Sequence, residues 1–509
     1  MTNSMTNGMT KGMTQAPALA ALAGLQGPQR QTAVQAALQR VQDEGVHTVR
    51  VVWGDLHGTY RSKSLVTQGG TAPLAAAFEE GVGLVSTVLM KDTSDRTAFK
   101  VFEPGAVPAM AGLQGASNLF LLPDPSSLTT LPWAPHTAWV RADAVTAAGD
   151  PVAIDPRRVL QRALALLQQR GWQLRCGLEV EFHIHRIVDA QLAAENADWP
   201  AEPPTVSLLH PGYNLLSDSW ADMADEALAI VRHTLCGLGL PLRSLEVELG
   251  PSQFEAVFDA VGALTAADQM LMLRNGLRQA LRRAGYHASF VARPPLPNSI
   301  ASGWHLHQSL VDAEGRNVFA REESHAASGQ ARQARHTLSD TGAHWLAGLL
   351  HHARGMTALC APTLLAYGRY QGSVMAPQAA VWGLDNRGAM LRVVGGPGDA
   401  ATRIENRVGE PLANPYLYMA AQVFAGLDGV DRRLEPGAAT TSPYESGLPG
   451  LPSTLGEALD ALADDAVMQD GLGQPMARLF DTIKRQETAR AAAAADLPGW
   501  LRREYFGRY

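Results

Sequence analysis

Seven side chains able to hold a cation fall in four segments: Glu179 and Glu181, Glu248 and Glu255, His305 and His307, and Glu405. Carboxylates with a few imidazoles form a hard, oxygen-dominated donor set that suits magnesium or manganese. Softer ions would favour thiolates, and Cys176, Cys236 and Cys360 are scattered. One alternating Glu pair alone is the pattern of a solvated strand face. Four segments in one order, with arginines and Gly-rich turns beside them, point instead to a divalent-metal site. Arg369, Arg387, Arg392, Arg403 and Arg407 lie in apolar, strand-like runs, where a guanidinium needs an anionic partner to be buried. Their forks match phosphate and carboxylate oxygens. A carboxylate cage with an arginine cluster is what phosphoryl transfer from a metal-bound nucleotide to a carboxylate requires. The chain has no Gly-x4-Gly-Lys-Ser/Thr loop, so the nucleotide is not expected to be held in P-loop fashion.

Positioning these groups takes a sheet. In a strand, alternate side chains share a face, so Glu179 pairs with Glu181, Glu246 with Glu248, and His305 with His307 in Gly303–Leu310. Gln173–His185 is expected as a strand interrupted at Gly177, and Leu245–Phe258 as a strand pair about Gly250-Pro251. Upstream, a helical pattern covers 31–44, a β-rich run covers Thr48–Trp53, and Gly54–Gly58 forms a turn. Asp155-Pro-Arg157 reads as an N-cap with Pro at the first helical position. The spacing predicts an α+β unit over 31–150 and a larger, sheet-rich domain over 151–509. The stretches Trp199–Pro204 and Pro436–Pro452 read as loops, and Ala491–Ala495 as part of a C-terminal helix.

The chain of 509 residues, 46% hydrophobic, is long enough for a large core and two or more domains. A net charge of -7 without a cationic run gives nucleic acid or an anionic membrane nothing to rest on, so a small-molecule partner is expected. No stretch approaches eighteen apolar residues, so no membrane span is expected. The unpaired cysteines fit a reducing compartment, which suggests the cytoplasm. A fourfold Met-Thr repeat opens the chain without an apolar segment, and residues 1–30 are expected to be a disordered tail rather than a secretory signal.

Five segments, in this order, resemble signatures of the glutamine synthetase family over nearly the whole chain from about Thr48. They are Gly177–Phe182, Glu248–Glu255, Ser302–His307, Asn386-Arg387, and Arg403–Arg407 followed by Ala413–Leu417. The resemblance implies a β-grasp N-terminal domain, a larger α/β catalytic domain, and a homo-oligomer of stacked rings, a dodecamer, with active sites between subunits. It implies that ATP phosphorylates a carboxylate of glutamate and that an amine captures the acyl phosphate. Carried over, Glu181, Glu248 and Glu255 hold one metal, and Glu179, His305 and Glu405 another, with two or three Mg2+ or Mn2+ per site. His307 and Ser309 lie near the nucleotide, joined by Arg392 and Arg403. Arg387, Arg392 and Arg403 stabilise the transferring phosphate, and Arg369 with Arg407 grips the substrate carboxylates.

Three departures bear on the substrates, the first two on the amine and the third on glutamate. Ammonia-using members place an acidic residue in a flap two residues before a Pro, where this chain has Met375-Ala376-Pro377. A thioether can neither close the site electrostatically nor take a proton from ammonium. The partner aspartate of a Phe-Asp-Gly-Ser-like run has no counterpart near Leu84–Val88, and Ile300-Ala301 replaces the family's Asn-Gly pair that touches glutamate. Met375 therefore marks an amine pocket for something bulkier than ammonia, and a glutamate-amine ligase is expected. An arylamine such as aniline is already neutral at physiological pH and needs no strong base. Isopropylamine and an ethanolamine-like amine stay open, and polyamines rank last because Val374 and Met375 offer no acidic wall. The alternatives are a glutamine synthetase using ammonia and a non-catalytic member of the family. Retention of every implied ligand and arginine argues against the latter.

Overall fold

The computed structural model describes residues 17–103, 113–322, 337–370, 375–445 and 447–509. The methionine repeat at 1–16 and Val374 lie outside them. The first sheet contains β1 (Thr48–Gly54), β2 (Tyr60–Val66), β3 (Val82–Val85), β4 (Asn118–Pro123), β5 (Thr129–Thr130) and β6 (Thr137–Val145). Its order is β2-β1-β6-β4-β3, with β5 on β6. β1 runs parallel to β6, while the β1–β2 hairpin is antiparallel. The hairpin turn closes because the Asp55 carboxylate accepts from the amides of His57 and Thr59, and Gly58 takes the left-handed conformation that favours glycine.

Residues 19–30 do not belong to the expected tail. Leu19–Leu22 forms a short helix, and Leu19 and Ala20 pack with Leu122 and Val145. The next helix, Pro28–Asp43, starts at a Pro in its first turn, earlier than the apolar periodicity indicated.

The second sheet carries the site. It contains β7 (Gln173–Asp189), β8 (Thr205–Ser207), β9 (Leu242–Val247), β10 (Gln253–Phe258), β11 (Val261–Gly262), β12 (Tyr286–Ser289), β13 (Trp304–Val311), β14 (Trp382–Leu384), β15 (Leu391–Val394) and β16 (Arg403–Asn406). The main path is β14-β15-β16-β13-β7-β10-β9. Gly177 does not interrupt β7: it pairs with His307 in an unbroken ladder against β13 that carries the strand through.

Asp155 caps helix Pro156–Gln168 as its sequence indicates, accepting from the Arg157 amide. Arg157 then reaches Asp143 on β6 and Asp268 on helix Ala263–Arg283, linking the two parts of the chain. Asn414 adds a second link. Its oxygen caps helix Pro415–Asp431, and its amide donates to the carbonyls of Asp55 and Leu56 in the β1–β2 turn. One apolar core runs through both sheets. The alanine run is only partly helical, since helix Gln474–Ala492 stops within it and Asp496 caps a new helix. Among the described residues, no helix is long and apolar enough to cross a membrane.

Candidate active site

Strand register assembles the carboxylates. Glu179 on β7 is the direct partner of His305 on β13, and Glu181 is the partner of Glu255 on β10. His307 pairs with Glu405 on β16, and Glu405 with Arg392 on β15. Because each pair is in register, these side chains share one face of five adjacent strands. Glu248 joins from the turn between β9 and β10, where its amide donates to Gln253 O at 3.0 Å. It is not in a strand with Glu246, as alternation alone suggested, because β9 ends at Val247.

Glu179 is the centre of the cluster. Its two oxygens lie 2.6 Å from His305 Nδ1 and 3.1 Å from His307 Nε2. His305 Nε2 is 3.9 Å from Glu181, and His305 Nδ1 is 3.9 Å from Glu405. Ligand atoms of Glu179, Glu255 and His305 lie within 4.8 Å of one another, and so do those of Glu179, His307 and Glu405. These groupings cut across the expected sets: Glu255 falls with Glu179 and His305, and His307, assigned to the nucleotide, falls with Glu179 and Glu405.

The electrostatics fit a cation. Burial raises the Glu255 carboxyl to about 10, aided by the charges of Glu179, Glu181 and Glu248. Burial and Glu248 raise Glu181 to about 8. Glu179 is also desolvated, but hydrogen bonds from His305 and His307 outweigh that and hold it well below the usual carboxylate range. For His305, burial and then the Arg407 charge lower the pKa, favouring the neutral imidazole that can ligate. Carboxylates this crowded relax when a divalent ion takes the place of their protons. The donor set therefore fits magnesium or manganese.

Glu405 is fully buried and is held from both sides. Arg392 Nη1 donates to it at 3.0 Å, and Arg407 Nη1 makes a second bond. Arg392 also bonds Asp385, while Arg403 Nε donates to His307 Nδ1 at 3.0 Å. Arg387 is exposed beside these groups in sequence, and among the described residues no hydrogen bond or ion pair ties it to the cluster. Arg369 is fixed from behind, with Nη1 donating to the carbonyls of Val408 and Gly409 at 2.9 and 2.7 Å. Among the described residues the buried Arg407 Nε has no hydrogen-bond partner, which leaves a donor for an anion.

A cavity of about 1210 Å³ opens at one end of the cluster. Glu179, His307, Ser309 and Arg403 line it, with Gly177 and Trp172 further along. The remaining assigned residues do not line this cavity. Met375 is 54% exposed and opens the described segment 375–445.

Two positions went unassigned from sequence. Gln253 Nε2 donates to Glu181 at 3.1 Å, to the Ala301 carbonyl at 3.1 Å and to Ser302 Oγ at 3.0 Å, fixing the carboxylate's orientation. Its signal was its place between Glu248 and Glu255 in one motif. Gly303 donates its amide to Glu181 at 2.9 Å. A Cβ there would stand 2.7 Å from Arg369 Nη2 and 2.9 Å from His305 Nε2, so only glycine lets these groups approach.

Comparison with known proteins agrees with this geometry. Residues 153–497 match the family model described as glutamine synthetase, catalytic domain. The chain is 36% identical over 487 residues to a γ-glutamylanilide synthase of Acinetobacter sp, covering 92% of this chain and 94% of that protein. It is 30% identical to a glutamate–isopropylamine ligase of Pseudomonas sp, covering 78% and 80% of the two chains. A solved structure of GmaS in complex with ADP superposes with a TM-score of 0.72 at 26% identity, covering 92% of this chain and 98% of the other. The chain belongs to the glutamine synthetase family of ATP-dependent ligases.

Proposed function

We propose that the protein joins the γ-carboxylate of glutamate to an organic amine bulkier than ammonia, with aniline-like amines first, at the expense of ATP. The observation that carries this reading is the cluster around Glu179, which meets the floor of a nucleotide-sized cavity at His307, Ser309 and Arg403. The 36% identity to a γ-glutamylanilide synthase supports the amine class. Met375, in place of the flap acid, supports it from the sequence.

In this reading Glu181, Glu248 and Glu255 hold one ion, and Glu179, His305 and Glu405 another, with magnesium or manganese as the ion. Bound ions would neutralise charge on the nucleotide's phosphates. His307, Ser309, Arg392 and Arg403 face the nucleotide, and Arg387, Arg392 and Arg403 stabilise the transferring phosphoryl group. Arg407, through its unpartnered Nε, and Arg369 hold the glutamate carboxylates. A γ-carboxylate oxygen attacks the terminal phosphorus and ADP leaves. The amine nitrogen then attacks the acyl carbon, phosphate departs, and the amine loses a proton to give the amide. A neutral arylamine needs no base before attack, which suits a pocket walled by Met375.

The same reading assigns residues 31–150 to a β-grasp unit and 151–509 to the catalytic domain. It places the site between subunits of a homo-oligomer, a dodecamer of stacked rings, in the cytoplasm. The test is phosphate release from ATP with Mg2+ and L-glutamate against ammonium, methylamine, isopropylamine, ethanolamine, putrescine and aniline, with products identified by mass. Turnover with an organic amine and little with ammonium supports the reading. Ammonium as best substrate makes the protein a glutamine synthetase, and silence across the panel favours a non-catalytic role.

A further inference from the structure

A second cavity, of about 660 Å³, shares no lining residue with the first. It lies where helix Asp340–His351 ends and helix Ala353–Cys360 begins, so two consecutive imidazoles leave the chain at a helix junction. The rings of His351 and His352 meet edge to face, with centroids 4.8 Å apart. Asp428, from helix Pro415–Asp431, places Oδ2 3.0 Å from His352 Nε2. One ligand atom from each of His351, His352 and Asp428 falls within 4.8 Å of the others.

Three further observations show a built arrangement. Asp465 Oδ2 stands 2.8 Å from His352 Nδ1, on the far side of the ring from Asp428. A carboxylate taking the Nδ1 hydrogen orients the ring, as is usual for metal-binding histidines, and an ion would displace the hydrogen shared between Nε2 and Asp428. Gly355 leaves room for that carboxylate, since a Cβ there would sit 2.2 Å from Asp465 Oδ2. Finally, Arg432 Nη1 lies 2.9 Å from Asp428 Oδ2 and 3.2 Å from His351 Nε2, so a cationic group already occupies the edge of the triad. Glu457, Asp460 and Asp464 line the same cavity and add negative potential.

We propose that His351, His352 and Asp428 form a metal site separate from the active site, for a divalent transition ion of the zinc class. Two imidazoles and one carboxylate are the intermediate-softness donors that zinc, cobalt and nickel prefer, whereas the active-site cluster offers mostly oxygen. The open cavity leaves room for water as a further ligand. The ion would tie helices Asp340–His351 and Pro415–Asp431 together.

The test uses the full-length protein, stripped of metal and then held in excess Mg2+ to fill the active-site carboxylates. Zn2+ binding is counted by equilibrium dialysis, and Co2+ is followed by its visible absorption. The expected result is one ion per chain that is weakened at least about tenfold in His351→Ala and retained in Glu179→Gln. Arg432→Ala, which removes the competing cation, should tighten binding, a gain that misfolding cannot produce. Equal Zn2+ stoichiometry and affinity in wild type, His351→Ala and Arg432→Ala would overturn the proposal. So would an ion lost only in Glu179→Gln, because the metal would then belong to the active site and the second triad would be an ionic clamp.

Discussion

Glu179 and His305 are direct register partners on neighbouring antiparallel strands, and their side chains meet at 2.6 Å. The other Glu179 oxygen holds His307, so one carboxylate organises both imidazoles. Glu179→Gln should therefore lower turnover by more than about 100-fold, beyond the usual loss for a residue that only supports a ligand. Steady-state phosphate release with saturating Mg2+ checks this. Activity within a few-fold of wild type would remove Glu179 from the metal set.

Crowding at Glu255 has two opposite consequences. With metal chelated, Glu255→Gln should stabilise the protein by roughly 1–3 kcal/mol, since it deletes a buried, poorly compensated acid. With Mg2+ present, the same variant should gain less stability from the ion than wild type does. Thermal unfolding with and without chelator measures both, and an unchanged Mg2+ shift would separate Glu255 from the ion.

Gly303→Ala should impair the site through contact and not charge. Its methyl group would press on Arg369 and His305, so turnover should fall at least about tenfold while overpacking costs on the order of 1–3 kcal/mol. Paired rate and unfolding measurements test this, and a wild-type rate in Gly303→Ala would contradict it.

Glu410 gives a pH signature away from the ligands. It is fully buried, accepts from the Thr363 amide and hydroxyl at 2.7 and 2.8 Å, and burial raises it to about 7. A folded-state value above the unfolded one means that folding takes up a proton. Its contribution is therefore most favourable below the unfolded value and declines as pH rises toward 7. That decline is on the order of 3 kcal/mol. Glu410→Gln should flatten this part of the stability profile between pH 4.5 and 7, and parallel wild-type and variant profiles would refute the assignment.

Met375 is exposed enough for Met375→Glu to fold, because its new carboxylate can stay in water. If Met375 lines the amine pocket, the ratio of ammonium to aniline use should rise at least about tenfold, on the scale of one well-placed charge. An unchanged ratio would place the amine elsewhere.

Much of the site was legible because strand periodicity is local. Alternation in Gly177–Phe182 and Gly303–Leu310 put Glu179 with Glu181 and His305 with His307 on common faces, and the structure keeps them so. Register is not local. Nothing in the sequence dictated that Glu405 should lie opposite His307, or that His307 should share Glu179 with His305. Gly177 looked like a break because glycine has weak strand propensity, but the continuous ladder with β13 overrides it. Asp155 was legible as a cap because capping needs only adjacent residues. The contacts of Gly303 and the meeting of His352 with Asp428 and Asp465 arise only when distant segments pack.

The central claim is that an oxygen of glutamate bonds to phosphorus before the amine attacks. Glutamate carrying 18O in its γ-carboxylate, turned over with ATP, Mg2+ and the best amine, tests it through the mass of the released phosphate. One 18O atom should pass to each phosphate. Unlabelled phosphate alongside amide product would contradict it.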